Sequence, residues 1–96
     1  MKSPINFQIK HDLSGKLFFL KVKGGNAELH YQRHGDEFID LVSASVPKES
    51  EKFGLGEVLV ETAIDFAEEQ HLKIKSSCSF VDNFMHSHPE HKHLLV

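Results

Sequence analysis

The sequence predicts an α+β fold: a mixed, mostly antiparallel sheet in the order β-β-β-β-α-β-α, with the main helix packed on one face. Three observations lead there. Apolar residues in the first half alternate, or run together, between short glycine-containing turns, the pattern of a strand meander. From residue 54 the apolar spacing changes to three and four, the pattern of a helix. A short β-compatible segment comes after that helix. The helix is then a crossover between two parallel strands, and such crossovers are right-handed.

Each element has its own signal. Residues 5–10 form a weak first strand, ended by Asp12, Ser14 and Gly15. Residues 16–23 form a stronger one, whose run Leu17, Phe18, Phe19, Leu20 and Val22 reads as a strand covered on both faces, with a dimer face as the alternative. Gly24-Gly25-Asn26 tolerates the positive φ of a hairpin turn. Residues 27–32 alternate, with Ala27, Leu29 and Tyr31 on one face and Glu28, His30 and Gln32 on the other. His34-Gly35-Asp36 turns the chain into a fourth strand over 38–46. Pro47 and Ser50 mark a loop, and a helix over 54–70 buries Leu55, Val58, Leu59, Thr62, Ala63, Phe66 and Ala67. Glu57, Glu61, Asp65, Glu68 and Glu69 occupy its opposite side. Residues 72–77 return to the sheet beside the fourth strand. Ser79 can then N-cap a last helix that buries Phe80, Val81, Phe84 and Met85.

Composition bounds the setting. A chain of 96 residues suits one domain over 1–96, and 40% hydrophobic with 26% charged residues is ordinary for a globular protein. A net charge of -3 leaves no basic footprint for nucleic acid. No apolar run of about 18 residues is present, so no membrane span is expected. The single cysteine, Cys78, excludes an intrachain disulfide framework and suits the cytoplasm, where no signal-like apolar segment directs the chain elsewhere.

The most informative stretch is Val-Pro-Lys-Glu-Ser-Glu-Lys-Phe-Gly-Leu-Gly, residues 46–56. Glycine is costly in a first helical turn and usually has a steric reason to be there. Close approach of a ligand's phosphates to unpaired N–H groups at the helix start is one such reason. The glycines lack the Gly-Lys-Ser/Thr ending of a P-loop, and Leu59 stands where a dinucleotide fingerprint wants glycine or alanine. No nucleophile-elbow motif is present.

With these glycines at a β–α junction, the chain resembles the Gcn5-related N-acetyltransferase (GNAT) superfamily, and within it the small YjdJ-type N-acetyltransferase-like proteins. Two blocks carry the likeness: Val46-Pro47 with Gly54-Leu55-Gly56-Glu57-Val58-Leu59-Val60, and Cys78-Ser79-Phe80-Val81 with Phe84 and His88-Pro89-Glu90. The resemblance implies a GNAT-like sheet and acetyl-CoA or coenzyme A as co-substrate. It implies that Lys52, Phe53, Gly54, Leu55 and Gly56 present backbone N–H groups to the diphosphate, and that Ser45 and Val46 pair with the pantetheine arm. It also implies a catalytic part for Cys78, as acyl acceptor or as proton donor to the departing thiolate. Three positions depart from the family pattern: Glu51 replaces Arg or Gln, Ser43-Ala44 replaces His-Thr, and Phe84 replaces a tyrosine.

The remaining chemistry is thinner. Cys78 lies at the N-terminal end of the last helix, where the dipole favours thiolate, yet a lone cysteine equally reads as a small buried hydrophobe. Glu37, Asp40 or a water could accept a proton, and both carboxylates also read as surface residues. His86, His88, His91 and His93 read as a solvated polar tail rather than a metal site, because Pro89 interrupts the helix that would bring them together. His11, His30, His34 and His71 read as turn or surface residues. The expected function is acetyl transfer to an amine, either a small molecule or a protein lysine or N-terminus, by a monomer or weak homodimer. The alternatives are a non-catalytic acyl-CoA-binding or interaction module and, more remotely, a histidine-rich metal binder.

Overall fold

The computed structural model describes residues 9–96. It contains β1 (Lys10–Asp12), β2 (Leu17–Val22), β3 (Gly25–His34), β4 (Phe38–Ser45), α1 (Leu55–Glu69), β5 (Lys73–Ser76) and α2 (Ser79–Ser87). Short 3₁₀ segments at Lys48–Phe53 and Pro89–Leu94 precede α1 and come after α2. The five strands form one sheet in chain order, antiparallel from β1 to β4 and parallel between β4 and β5. This is the mixed sheet that the pattern of turns and the α1 crossover predict. Of the expected first strand, residues 5–8 lie outside the described residues. Lys10, His11 and Asp12 pair with Phe19, Phe18 and Leu17.

Strand pleating sorts the side chains between two faces. On the inner face Phe18, Ala27, Leu29, Tyr31, Ile39, Leu41 and Ile74 are buried. Both helices pack there, α1 through Leu55, Leu59, Val60, Ala63, Ile64 and Ala67, and α2 through Val81, Phe84 and Met85. A hydrogen bond of 2.8 Å from Ser76 Oγ to Asp82 Oδ1 ties α2 to that same face. On the outer face Leu17, Phe19, Glu28, His30, Phe38, Asp40 and Ser43 are half-buried or exposed, and no helix among the described residues lies across it. The apolar run of β2 is therefore helix-covered on one side only.

The buried stripe of α1 is rotated from the one periodicity suggests. Val60 and Ile64 are buried, whereas Val58, Thr62 and Phe66 are only partly so. The row Gly56, Val60 and Ile64 faces α2, as the contact between Gly56 and Phe80 shows. The row ending in Phe66 lies over the β1–β2 edge, where Phe66 meets the rings of His11 and Phe18 at 4.7 and 5.8 Å. A helix flanked by a second helix buries a wider and displaced stripe, and its own sequence does not announce the neighbour.

Three further local expectations change. Cys78, with extended dihedrals of φ -91 and ψ 129, is the N-cap of α2, and Ser79 is its first helical residue. Phe80 is 41% exposed rather than buried. The histidine-rich C-terminus is docked, not a solvated tail. Leu94 is buried, Leu95 bridges Ile74 in parallel, and the Val96 N–H donates to Ile74 O at 3.0 Å. The apolar Leu94-Leu95 pair supplies the reason, since it extends the sheet edge beyond β5. His88 starts this segment as the α2 C-cap, its ring stacked on Phe84 at 4.0 Å.

Candidate functional site

The site begins where β4 and β5 part. Their pairing stops at Leu41 and Ser76. The amides of Ser77 and Cys78 both donate to Leu41 O, each at 3.1 Å, and this shared acceptor turns the chain out of the sheet. β4 continues, paired only with β3, through Ala44 opposite Leu29 and Ser45 opposite Glu28. Just past the parting point the β3–β4 register slips by one residue: His30 pairs with Ser43 but Tyr31 with Leu41. Val42 is the extra residue of this β-bulge, and bulges bend a strand and re-aim the residues beyond them. Residues 42–45 thus present an unpaired edge to the space vacated by β5.

The N-terminus of α1 faces that space. Gly54 is its N-cap with φ 67 and ψ 29, a left-handed conformation that favours glycine. The first helical turn closes with the Val58 N–H donating to Gly54 O at 3.2 Å. The N–H groups of Leu55, Gly56 and Glu57 precede it and so have no intrahelical acceptor. The loop before them is anchored by Ser50, which is buried and donates to Lys23 O at 3.0 Å. Gly56 has a second steric cause. A Cβ there would lie 2.8 Å from Phe80 Cζ and 3.0 Å from its Cε2.

Strand edge and helix start enclose one open groove of about 430 Å³. β4 and the residue after it contribute Ala44, Ser45 and Val46 to its lining, the loop and α1 contribute Glu51, Gly54, Gly56 and Glu57, and Phe80 closes it from α2. Of the residues singled out in the sequence, Ser45, Val46, Gly54 and Gly56 meet here. Leu55 is buried in the core and is not among the groove-lining residues. Lys52 and Phe53 are exposed, the ammonium 5.4 Å from the ring centroid. Cys78 is partly buried against the core at the end of α2 nearest β4, and it is not among the groove-lining residues.

Sequence reasoning missed Glu57 and Phe80 as lining residues. Glu57 looked like one more solvated helix carboxylate, although its place in the first turn, where the dipole attracts negative charge, was a usable signal. Phe80 fits an apolar helix period too well to stand out. Of the two carboxylates offered as proton acceptors, Asp40 accepts from Ser77 Oγ at 2.9 Å, and its Oδ1 is buried without a partner among the described residues. Glu37 sits in the β3–β4 turn, where its carbonyl accepts from the Lys73 N–H at 2.8 Å. No cluster of three or more ligating side chains among the described residues is arranged to hold a metal.

The site is thus a parallel strand pair that parts beside a bulge, with a glycine-capped helix N-terminus facing the gap. The comparisons with known proteins then specify the family. The family model described as GCN5-related N-acetyl-transferase matches residues 17–94, and the chain belongs to that family. Among curated proteins it is similar to Protein NATD1 of Gallus gallus, 27% identical over 84 residues that cover 85% of this chain and 76% of the relative. It is likewise similar to Protein NATD1 of Danio rerio, 26% identical over 89 residues, covering 91% and 81%. Protein NATD1 of Homo sapiens is 26% identical over 84 residues, covering 85% and 74%. A GCN5-like protein from Staphylococcus aureus, solved in solution by NMR, shares the fold. Its TM-score is 0.74 at 24% identity, with 95% of this chain and 89% of that one covered.

Proposed function

We propose that the chain is a single acetyltransferase-like domain of the small YjdJ type. It binds acetyl-CoA and transfers the acetyl group to a primary amine, either a small molecule or a protein lysine or N-terminus. The observation that carries this reading is the meeting, in one groove, of the free β4 edge with the unsatisfied N–H groups of α1. A diphosphate at those donors gains charge-assisted hydrogen bonds and a favourable helix dipole. An extended pantetheine arm finds main-chain partners at Ser45 and Val46, in place of the β5 strand that has turned away. A single thiol and a thioester co-substrate suit the reducing cytoplasm.

Transfer requires a neutral amine, a polarised thioester carbonyl and a proton for the leaving thiolate. Backbone N–H groups along the bulged end of β4 serve the second need. Cys78, beside the parting point of β4 and β5, serves the third as proton donor, or accepts the acetyl group itself in a two-step transfer. A second reading, a non-catalytic acyl-CoA-binding or interaction module, draws support from two features: Glu51 and Glu57 place carboxylates beside the diphosphate position, and the ring of Phe84 is buried.

Titration calorimetry with acetyl-CoA and coenzyme A tests the shared claim of binding. Micromolar affinity for both is expected, and no heat at protein concentrations able to detect it would refute the reading. Intact mass after incubation with acetyl-CoA asks whether Cys78 gains an acetyl group. A Cys78→Ala variant that transfers acetyl at an undiminished rate would remove that residue from the mechanism.

A further inference from the structure

The outer face of the sheet carries a second recess, about 460 Å³, on the other side of the β4 bulge from the coenzyme groove. Lys16, His30, Gln32, Val42 and Ser43 line it. Pairing across the strands sets Asp12, Leu17, His30 and Ser43 in one row, and Lys10, Phe19, Glu28 and Ser45 in the next. Ser43 lines this recess and the next two residues, Ala44 and Ser45, line the coenzyme groove, so the two recesses flank consecutive residues of β4. An acceptor entering from the outer face reaches the bulge without crossing the core.

His30, at the wall of this recess, pairs with Glu28 in the neighbouring row, His30 Nε2 to Glu28 Oε1 at 2.9 Å. A carboxylate on Nε2 selects the tautomer with its proton there, which leaves Nδ1 as the basic nitrogen. Nδ1 has no hydrogen-bond partner among the described residues, and the His30 side chain is 42% exposed. His30 stands directly across from Ser43, and residues so paired hold their Cβ atoms about 5 Å apart. An oriented imidazole with one free nitrogen therefore lies beside the bulge, on the side that an acceptor would use.

We propose that His30 is the base that takes the proton from the acceptor amine, and that Glu28 is the positioning residue that orients its ring. This rests on the acetyltransferase reading above. An alkylammonium gives one proton to His30 Nδ1, leaving its nitrogen lone pair free. That pair forms the N–C bond to the thioester carbonyl carbon. The C–S bond then breaks, and its electron pair leaves on sulfur. The thiolate takes its proton from Cys78, the second amine proton restores the Cys78 thiol, and the imidazolium returns its proton to solvent. Overall an ammonium and an acetyl thioester become an amide, a thiol and a proton.

The charged and titratable groups around His30 are Glu28 on its own strand, Asp12 at the end of its row on β1 and Lys16 in the β1–β2 turn, with Asp40 opposite Gln32 beyond the bulge on β4. The experiment therefore reads variants against one another rather than one pH profile alone. Acetyl-CoA affinity is measured by calorimetry for wild type and His30→Gln. Coenzyme A release is then monitored with a panel of primary amines: spermidine, free lysine and lysine-containing peptides with free N-termini. The expected result is acetyl-CoA affinity within about twofold of wild type and a loss of kcat/KM of about 100-fold or more, the usual weight of a general base. Glu28→Leu should lower kcat about tenfold and Glu28→Gln, which keeps an acceptor oxygen at the ring, far less. In the His30→Gln background Glu28→Leu should add nothing, a dependence that a merely structural role would not produce. His30→Gln activity within about threefold of wild type overturns the proposal. So does a wild type that binds acetyl-CoA yet transfers to no amine in the panel. A wild type that binds no acetyl-CoA overturns the acetyltransferase reading itself, and this assignment with it.

Discussion

Gly56 and Phe80 are coupled through a contact with no spare room, and the coupling can be measured. A Cβ on residue 56 would lie 2.8 Å from the tip of the Phe80 ring, well inside van der Waals contact. Overpacking of that kind typically costs about 1–3 kcal/mol. Here the neighbour is a ring that is 41% exposed and able to shift, so the lower half of that range, about 1–2 kcal/mol, applies. Against it stands the helix preference of alanine over glycine, up to about 1 kcal/mol. Gly56→Ala should therefore be neutral to destabilising by about 1 kcal/mol in the wild type, a fall in Tm of no more than about 4–8 °C. With Phe80→Ala the overpacking vanishes and only the helix preference remains, so the same change should stabilise by up to about 1 kcal/mol. The coupling, read from urea denaturation of the four proteins in the cycle, is about 1–2 kcal/mol. Values within about 0.3 kcal/mol of additivity would refute the coupling, because residues in contact should not behave as independent sites.

Other outcomes rest on single features. Burial lowers the pKa of His11 below its ordinary 6.5, and Asp12 opposes the shift only in part. The folded state therefore resists a proton that the unfolded chain accepts. Its contribution to stability is complete above 6.5 and is lost as the pH falls through that value toward the lowered one. Urea midpoints across this range should show the decline in wild type and less of it in His11→Phe, and identical profiles would contradict the assignment. Leu94→Ala removes a buried side chain that docks the C-terminus and should cost about 2–3 kcal/mol. A cost under about 0.5 kcal/mol, the range of free surface positions, would show the segment to be undocked. Glu57→Gln should weaken folding by about 0.3–1 kcal/mol through the lost helix-dipole partner. The same change should tighten coenzyme A binding severalfold at low ionic strength, a gain that shrinks as salt is added. Unchanged affinity at low salt would place the diphosphate away from this carboxylate.

Much of the fold was legible because it depends on local signals. Gly24 and Gly35, both at positive φ, close the turns where the chain was expected to reverse. The alternation of Ala27, Leu29 and Tyr31 identified the inner face. The switch of period at Gly54 marked both α1 and the crossover. What stayed hidden depends on which residues tertiary pairing brings together. Nothing in Leu41-Val42-Ser43 announces a bulge, since the slip exists only relative to β3. The parting of β4 and β5 comes from two amides sharing Leu41 O, a contact between segments far apart in sequence. His30 looked scattered because its partner across the strand is Ser43, a relation set by register. The C-terminal histidines looked like a tail because the docking residue, Leu94, lies beyond them. The glycine loop itself was plain, while one of its two causes, the ring of Phe80 against Gly56, belongs to the tertiary packing and the other is the left-handed cap at Gly54.

The central claim is that coenzyme binding occupies the groove between the end of β4 and the start of α1. Amide chemical shifts of the labelled protein during titration with acetyl-CoA test it residue by residue. The amides of Ser45, Val46, Gly54, Leu55 and Gly56 should move together and saturate at one affinity, while those of Gly35 and Lys73, at the far end of the sheet, stay in place. Shifts confined to the far end, or scattered over the surface without saturation, would contradict it.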